Sequence, residues 1–193
     1  MEVVMIDRLR RCSLTLLLAF VGAPTVAAAQ ASPADSATAA AREILWAMVR
    51  KDYLWVSQRT DLADLRRTRL SFDSLLARDS SHYVSLKVFG ADSAAQLRGL
   101  SDAEFTARLL SFWLPASGND AQFANIRNLD VAGAVRRGSD TTLVVYRWQY
   151  VGENQFRSDR VQPMVRCGRD WCAQLIANFS GLLSMLRPPR GAR

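Results

Sequence analysis

Hydrophobic and polar residues follow two different spacings along this chain, a helical spacing first and an alternating one afterwards. Up to about residue 114, apolar side chains recur every three or four residues, as on one face of an α-helix. After about residue 126, they alternate with polar side chains, as in strands with one buried face. Four strands are therefore predicted, near residues 126–137, 140–151, 159–167 and 171–177.

The helical part divides at residues that begin or end helices. The first helix is predicted over residues 36–51, and another begins at Asp61. Residues 93–100 also have a helical pattern, and Ser101 and Glu104 form a capping-box motif that begins the helix reaching Trp113. Residues 82–89 alternate enough to predict a short strand or an extended connector.

Helices that precede a run of antiparallel strands are typical of an α+β fold. The four strands follow one another with short turns, including Gly138-Ser139-Asp140, so the predicted sheet is a meander. We expect N-terminal helices to pack on one face of this curved sheet.

The second predicted strand carries a row of aromatic residues. Tyr146, Trp148 and Tyr150 share one face of this strand, whereas Arg147 lies on the other face. The row suits a buried core face under the helices, and it also suits a surface that stacks against a ligand. Both interpretations stay open at the level of sequence.

The N-terminus has the pattern of a secretory leader. Arg8, Arg10 and Arg11 precede a short apolar run at residues 14–21, and the A-x-A motif at residues 27–29 suits signal peptidase. We therefore interpret residues 1–29 as a signal peptide, which places the protein in the periplasm or outside the cell. The apolar run is too short to span a bilayer, so we expect no membrane attachment after cleavage.

The rest of the chain has the length of one domain. We assign residues 30–186 to a single α+β domain and residues 187–193, rich in proline and arginine, to a disordered tail. The chain of 193 residues has a formal net charge of +7, but its arginines are scattered and alternate with aspartates. This distribution does not form the basic patch of a nucleic-acid-binding protein.

Two cysteines remain once the leader is removed, and they flank a turn. In an oxidising compartment, Cys167 and Cys172 are predicted to form a disulfide bond. If Arg169 and Asp170 are the two loop residues, the cysteines face each other directly across the hairpin. The spacing is not the C-x-x-C of redox proteins, and His82 is the only histidine available for a zinc site, so we predict no metal and no cofactor.

The order of these parts resembles a known superfamily. A helix ending in Arg-Lys-Asp-Tyr-Leu-Trp-Val is followed by further helices and by a meander that closes with Arg-Cys-Gly-Arg-Asp-Trp-Cys-Ala-Gln-Leu. This layout is similar to secreted bacterial members of the nuclear-transport-factor-2-like superfamily, which share a cone-shaped, cystatin-like α+β roll with ketosteroid isomerase. The resemblance implies a pocket between the first helix and the sheet. No motif matches an enzymatic member residue by residue, so it implies no catalytic residue.

The leading functional hypothesis is a small exported domain that binds an apolar or amphipathic ligand or a protein partner. Aromatic walls would stack on the ligand, and an arginine would pair with an anionic group. The predicted binding residues are Tyr146, Trp148, Tyr150 and Trp113 for stacking, with Arg147 or Arg166 for charge.

Two alternatives stay open. One is an isomerase or lyase of the ketosteroid-isomerase type, which needs a buried carboxylate as its base. Asp130, Asp159 and Glu104 are the candidate bases, and His82 is the only imidazole. The other alternative is a homodimer or interaction scaffold that uses the second face of the sheet as a flat interface.

Overall fold

The protein is described by a computed structural model that covers residues 33–157, 159–175 and 179–186. The predicted signal peptide, the predicted tail and residues 176–177 of the last predicted strand lie outside these ranges. Eight helices and four strands occur within the described residues. The helices are α1 (Pro33–Val49), α2 (Tyr53–Gln58), α3 (Leu62–Leu76), α4 (Tyr83–Phe89), α5 (Ala94–Arg98), α6 (Asp102–Ala116), α7 (Asn119–Ala124) and α8 (Ser180–Leu186).

The four strands form one antiparallel sheet in the order in which they occur in the chain. They are β1 (Ile126–Arg136), β2 (Thr141–Tyr150), β3 (Arg160–Cys167) and β4 (Asp170–Ala173). The register between β1 and β2 shifts at two points, and such bulges bend a strand and increase its twist. The result is a curled sheet with helices packed on it, which confirms the predicted α+β meander.

Helix α1 covers the inner face of the sheet because its buried stripe is made of small residues. Ala37, Ala41 and Ala47 are fully buried, and Ile44 is almost so. Alanine side chains let the helix axis approach the strands closely, and this stripe packs on Val144 and other residues of β2, β3 and β4. The helix is broken after Val49 at Lys51, which has a positive φ of 63°. Asp52 then caps α2 by accepting a hydrogen bond from the Trp55 backbone N–H at 3.3 Å.

The remaining helices form a second core with phenylalanines at its centre. Phe72 on α3 is fully buried and lies edge-on to Phe89, Phe105 and Phe179, with ring centroids 5.7 to 6.3 Å apart. Edge-to-face pairs at such distances stabilise a core beyond the apolar area that they bury. None of the described helices is long and apolar enough to cross a bilayer.

The prediction of extended structure at residues 82–89 is wrong, because Tyr83–Phe89 is helix α4. The carboxylate of Asp79 accepts hydrogen bonds from the backbone N–H groups of Val84 (3.0 Å) and Ser85 (2.7 Å). These bonds satisfy N–H groups in the first turn, which have no partner within a helix. Val84 and Val88 are both buried, so their spacing of four residues is helical.

The closing hairpin has a different register from the one predicted. Cys167 pairs with Asp170, so the two loop residues are Gly168 and Arg169 instead of Arg169 and Asp170. Gly168 has a positive φ of 68°, which glycine adopts readily at the first position of a tight hairpin loop. Cys172 pairs with Val165, so the two cysteines are diagonal neighbours on one face of the sheet. Their Cα atoms lie 5.8 Å apart, and the predicted disulfide bond is present.

Candidate ligand-binding cleft

The connection between α2 and α3 pairs with the edge of β4. The backbone N–H of Ala173 donates to the Arg59 carbonyl at 2.8 Å, and the Asp61 N–H donates to the Ala173 carbonyl at 2.9 Å. Thr60 and Ala173 thereby form a parallel bridge. These bonds cover the edge of the sheet and hold Gln58 and Arg59 beside the disulfide-linked hairpin.

A cleft of about 620 Å³ lies between α1, this connection and the hairpin. Three separate parts of the chain supply its walls, and the hairpin is distant in sequence from the other two. The hairpin contributes the disulfide bond and the indole of Trp171. The residues lining this hairpin cleft are Ser36, Ala40, Glu43, Gln58, Arg59, Cys167, Arg169, Asp170, Trp171 and Cys172.

Trp171 is a fixed wall of the hairpin cleft. Its indole N–H donates to the Ser36 hydroxyl of α1 at 3.0 Å, across 135 residues of sequence. Arg166 is its cross-strand partner, and the guanidinium carbon lies 4.3 Å from the centroid of the indole. The Arg166 guanidinium also donates to the Arg169 carbonyl at 3.0 Å, which orders the loop. The indole is therefore held on several sides before any ligand arrives.

Charged side chains of both signs surround this wall. Glu43 comes from α1, Arg59 from the α2–α3 connection, and Arg169 and Asp170 from the hairpin. Arg59 stacks on Trp55 at 3.7 Å from the ring centroid, which orients its guanidinium. In the part of the chain that the structure describes, Glu43, Arg169 and Asp170 form no ion pair with one another or with other residues. The cleft can thus offer both donors and acceptors to a ligand.

The predicted aromatic row lies inside the core. Tyr146, Trp148 and Tyr150 are 7%, 2% and 8% exposed, and the rings of Tyr146 and Trp148 meet edge-on at 5.3 Å. They pack with Leu45 of α1 and with Leu129 of β1. These contacts fill the space between α1 and this end of the sheet, and the stacking role of the row stays a prediction.

The other predicted binding residues are not brought together with this row. Arg147 lies on the opposite face of β2 and pairs with Asp130 at 2.8 Å. Trp113 belongs to the helical core, where it packs against Phe179. Arg166 is the predicted residue closest to the hairpin cleft, since it stacks on a residue that lines it.

The three candidate bases lie in exposed or partly exposed positions. Asp130 is 37% exposed in its ion pair with Arg147, and Asp159 is exposed. Glu104 is exposed in the predicted capping box, where the Ser101 side chain and then the Ser101 backbone N–H donate to its carboxylate and lower its pKa. An isomerase base needs burial that raises its pKa, and these positions do not provide that burial. His82 is exposed and precedes α4.

Asp79 and Tyr146 also have displaced pKa values. Burial acts to raise the pKa of Asp79, but hydrogen bonds from the backbone of Ser85 and Val84 outweigh this effect, so the net pKa is lowered. Burial raises the pKa of the Tyr146 phenol, against a smaller opposing effect of Arg160. Both shifts follow from structural roles, helix capping and core packing.

Among the described residues, no three His, Cys, Asp or Glu side chains lie close enough together to hold a metal ion. Comparison of the chain with protein-family models, with curated proteins and with solved structures found no match in any of the three.

Sequence reasoning missed Glu43, Gln58, Arg59, Arg169 and Asp170 as neighbours in one cleft. Arg59 reaches the hairpin through the backbone hydrogen bonds between the α2–α3 connection and β4, and no local sequence pattern indicates those bonds. The local signal in the sequence is the charged pair Arg169-Asp170, which stands beside Trp171 in a tight turn.

Proposed function

We propose that this chain is an exported ligand-binding domain whose ligand enters the hairpin cleft, beside Trp171. The observation that carries the proposal is an aromatic wall surrounded by charges of both signs in a cavity of about 620 Å³. Small-molecule sites typically combine such apolar walls with a few polar groups that fix the orientation of the ligand. The ligand is expected to be amphipathic, with a planar or apolar part and a charged part.

Export is part of the proposal because of the disulfide bond and the leader pattern. A disulfide persists in the periplasm or outside the cell, whereas the cytosol keeps thiols reduced. The order of helices and curled sheet also supports membership of the nuclear-transport-factor-2-like superfamily. Within that class, this chain would bind its ligand at the edge of the roll, since aromatic side chains occupy much of its interior.

A thermal-shift screen of small amphipathic compounds tests the proposal. We expect some compounds to raise the melting temperature of the oxidised protein, since a ligand stabilises the state that it binds. Arg169→Gln should weaken their binding by about two- to fivefold, the value of an exposed charge contact. Arg66→Gln, an exposed arginine of α3 outside the cleft, is the matched control. Binding that is equal in both variants, or no binding by any compound, would contradict the proposal.

A second candidate function is self-association through the outer face of the sheet. Alternation and register place Leu143 and Val145 on this face, beside Val135 of β1 and Val161 of β3. Val135 and Val161 are 60% and 44% exposed. Contiguous exposed apolar residues on a soluble protein are typical of interaction sites.

Light scattering during size-exclusion chromatography distinguishes this second function. If the outer face is an interface, the protein elutes as a dimer, and Val161→Lys converts it to a monomer by placing a charge in the contact. Leu70→Lys is the control, because Leu70 is equally apolar and 70% exposed on α3. A monomer at every concentration of the unmodified protein would exclude self-association.

A further inference from the structure

The hairpin cleft has a neighbour on the other side of the disulfide bond. A second cavity, of about 440 Å³, is lined by Cys167, Cys172 and Gln58, which also line the hairpin cleft. The two cavities thus share a wall made of the disulfide and one glutamine. The other residues lining this second cavity are Thr60, Leu62, Leu65, Ser101, Asp102 and Ala103.

The two cavities differ in chemistry. The second is walled mainly by apolar groups, namely Leu62, Leu65, Ala103 and the sulfur atoms, and Leu62 is 51% exposed there. Its one carboxylate, Asp102, is already bonded to Arg69. The hairpin cleft instead has two carboxylates and two guanidinium groups, so its formal charge is balanced.

From this juxtaposition we infer that the two cavities bind one ligand, a single-chain amphiphile with a zwitterionic head. The head lies in the hairpin cleft, with its cationic end near Glu43 and Asp170 and its anionic end near Arg59 and Arg169. The alkyl chain crosses the disulfide and lies against Leu62 and Leu65. This inference rests on the proposed function and names the class of ligand for the same cleft.

Charge balance is what selects the head group. A simple anion would bring its charge close to Glu43 and Asp170, and a simple cation would lie close to Arg59 and Arg169. A zwitterion pairs with both sets at once, and like-charge contacts weaken the alternatives. The apolar walls of the second cavity explain why an alkyl chain is needed, because they gain affinity in proportion to the apolar area that they cover.

Isothermal titration calorimetry with dodecylphosphocholine, below its micelle concentration, tests the inference on the oxidised protein. We expect one molecule to bind per chain. Lengthening the tail from octyl to decyl should raise the affinity by about fifteenfold, because each of the two added CH₂ groups contributes about a factor of four. Dodecyltrimethylammonium, laurate and dodecyl maltoside, which have cationic, anionic and uncharged heads, should each bind more weakly.

Variants separate the two halves of the site. Leu62→Gln should reduce the dependence on tail length, since Leu62 is one of the apolar walls of the second cavity, whereas Leu70→Gln on the same helix should not change binding. Arg169→Gln should weaken binding of every zwitterionic homologue by about two- to fivefold. Affinity that does not depend on tail length or on Leu62, with Arg169 still important, would overturn the inference and leave the proposed function intact.

Two further outcomes distinguish a wrong ligand class from a wrong binding site. If the amphiphiles do not bind and other compounds bind at the hairpin cleft, the ligand class is wrong and the cleft is right. If no compound responds to Arg169→Gln, the proposed function fails as well. Sedimentation of the protein with phosphatidylcholine vesicles gives a further test. If the protein sediments with the vesicles and Leu62→Gln does not reduce the bound fraction, the protein binds a membrane surface instead of a single amphiphile, and the inference is overturned.

Discussion

Trp148 and Trp171 show how position decides what one kind of side chain does. Both are more than nine-tenths buried, and both lie on the inner face of the sheet. Trp148 is surrounded by Phe123, Tyr146 and other core residues, whereas Trp171 lies at the edge, where it contacts Ser36 and lines a cavity. The first tryptophan is thus enclosed by the core, whereas the second lies beside a cavity.

Trp148→Ala tests the core role of the predicted aromatic row. Removing a fully buried indole leaves a cavity, so we expect a loss of about 3–5 kcal/mol in the free energy of unfolding. Chemical denaturation followed by circular dichroism measures it, and Leu70→Ala, at an exposed site, should change stability by less than about 0.5 kcal/mol. If Trp148→Ala lowered the free energy of unfolding by less than about 0.5 kcal/mol, the aromatic row would not be packed in the core.

Asp79→Asn tests how the carboxylate caps α4. The folded state lowers the pKa of Asp79, so its charged form stabilises the fold above the unfolded value of about 3.9, and this contribution is lost as the pH falls through the lower, folded pKa. We expect Asp79→Asn to cost about 1 kcal/mol at pH 7, because the neutral amide has one acceptor oxygen instead of two charged ones. The difference in the free energy of unfolding between this variant and the unmodified protein should become smaller below about pH 4. A difference that stays constant from pH 7 to pH 2.5 would contradict the capping role.

At the scale of elements, the β3–β4 hairpin joins fold and site, because its disulfide is a wall of both cavities. Replacing both cysteines by serine should lower the free energy of unfolding by about 2 kcal/mol, since the bond closes only a short loop. Denaturant titration of oxidised, reduced and serine forms measures this. The reduced form and the serine variant should have the same free energy of unfolding. Equal stability of all three forms would contradict the stabilising role of the disulfide bond.

The sequence predicted those elements whose signals are local. The capping box at Ser101 and Glu104 and the alternation along β2 were both confirmed. Helix α4 was not predicted, because Tyr83 and Leu86 are apolar but exposed, which hides its helical stripe. The loop of the last hairpin was displaced by one residue, since the positive φ of Gly168 decides the register and sequence alone left two turns available.

The cleft could not be predicted in the same way. The hairpin and its disulfide were visible in the sequence, but Arg59 and Glu43 reach it from elements that lie more than a hundred residues away. Such contacts depend on how α1 crosses the sheet and on the backbone hydrogen bonds that Arg59 and Asp61 form with Ala173. Local patterns contain no information on either.

At the scale of the whole molecule, the residues that the structure describes form two packed regions with different roles. One is the core of phenylalanines among α3, α4, α6 and α8, and the other is α1 on the curled sheet. The α2–α3 connection leaves the helical region and pairs with β4, so the hairpin cleft lies where the two regions meet. We propose that this junction, beside a covalently closed hairpin, is the binding site of an exported protein.

The most direct test is to locate a bound ligand by the indole N–H resonances of the oxidised, ¹⁵N-labelled protein, assigned by single tryptophan substitutions. Titration with dodecylphosphocholine below its micelle concentration should shift the Trp171 resonance, because its N–H lies at the hairpin cleft and bonds to Ser36. The Trp148 resonance should hardly change. A saturable shift at Trp148 with none at Trp171 would place the ligand inside the roll and contradict the account.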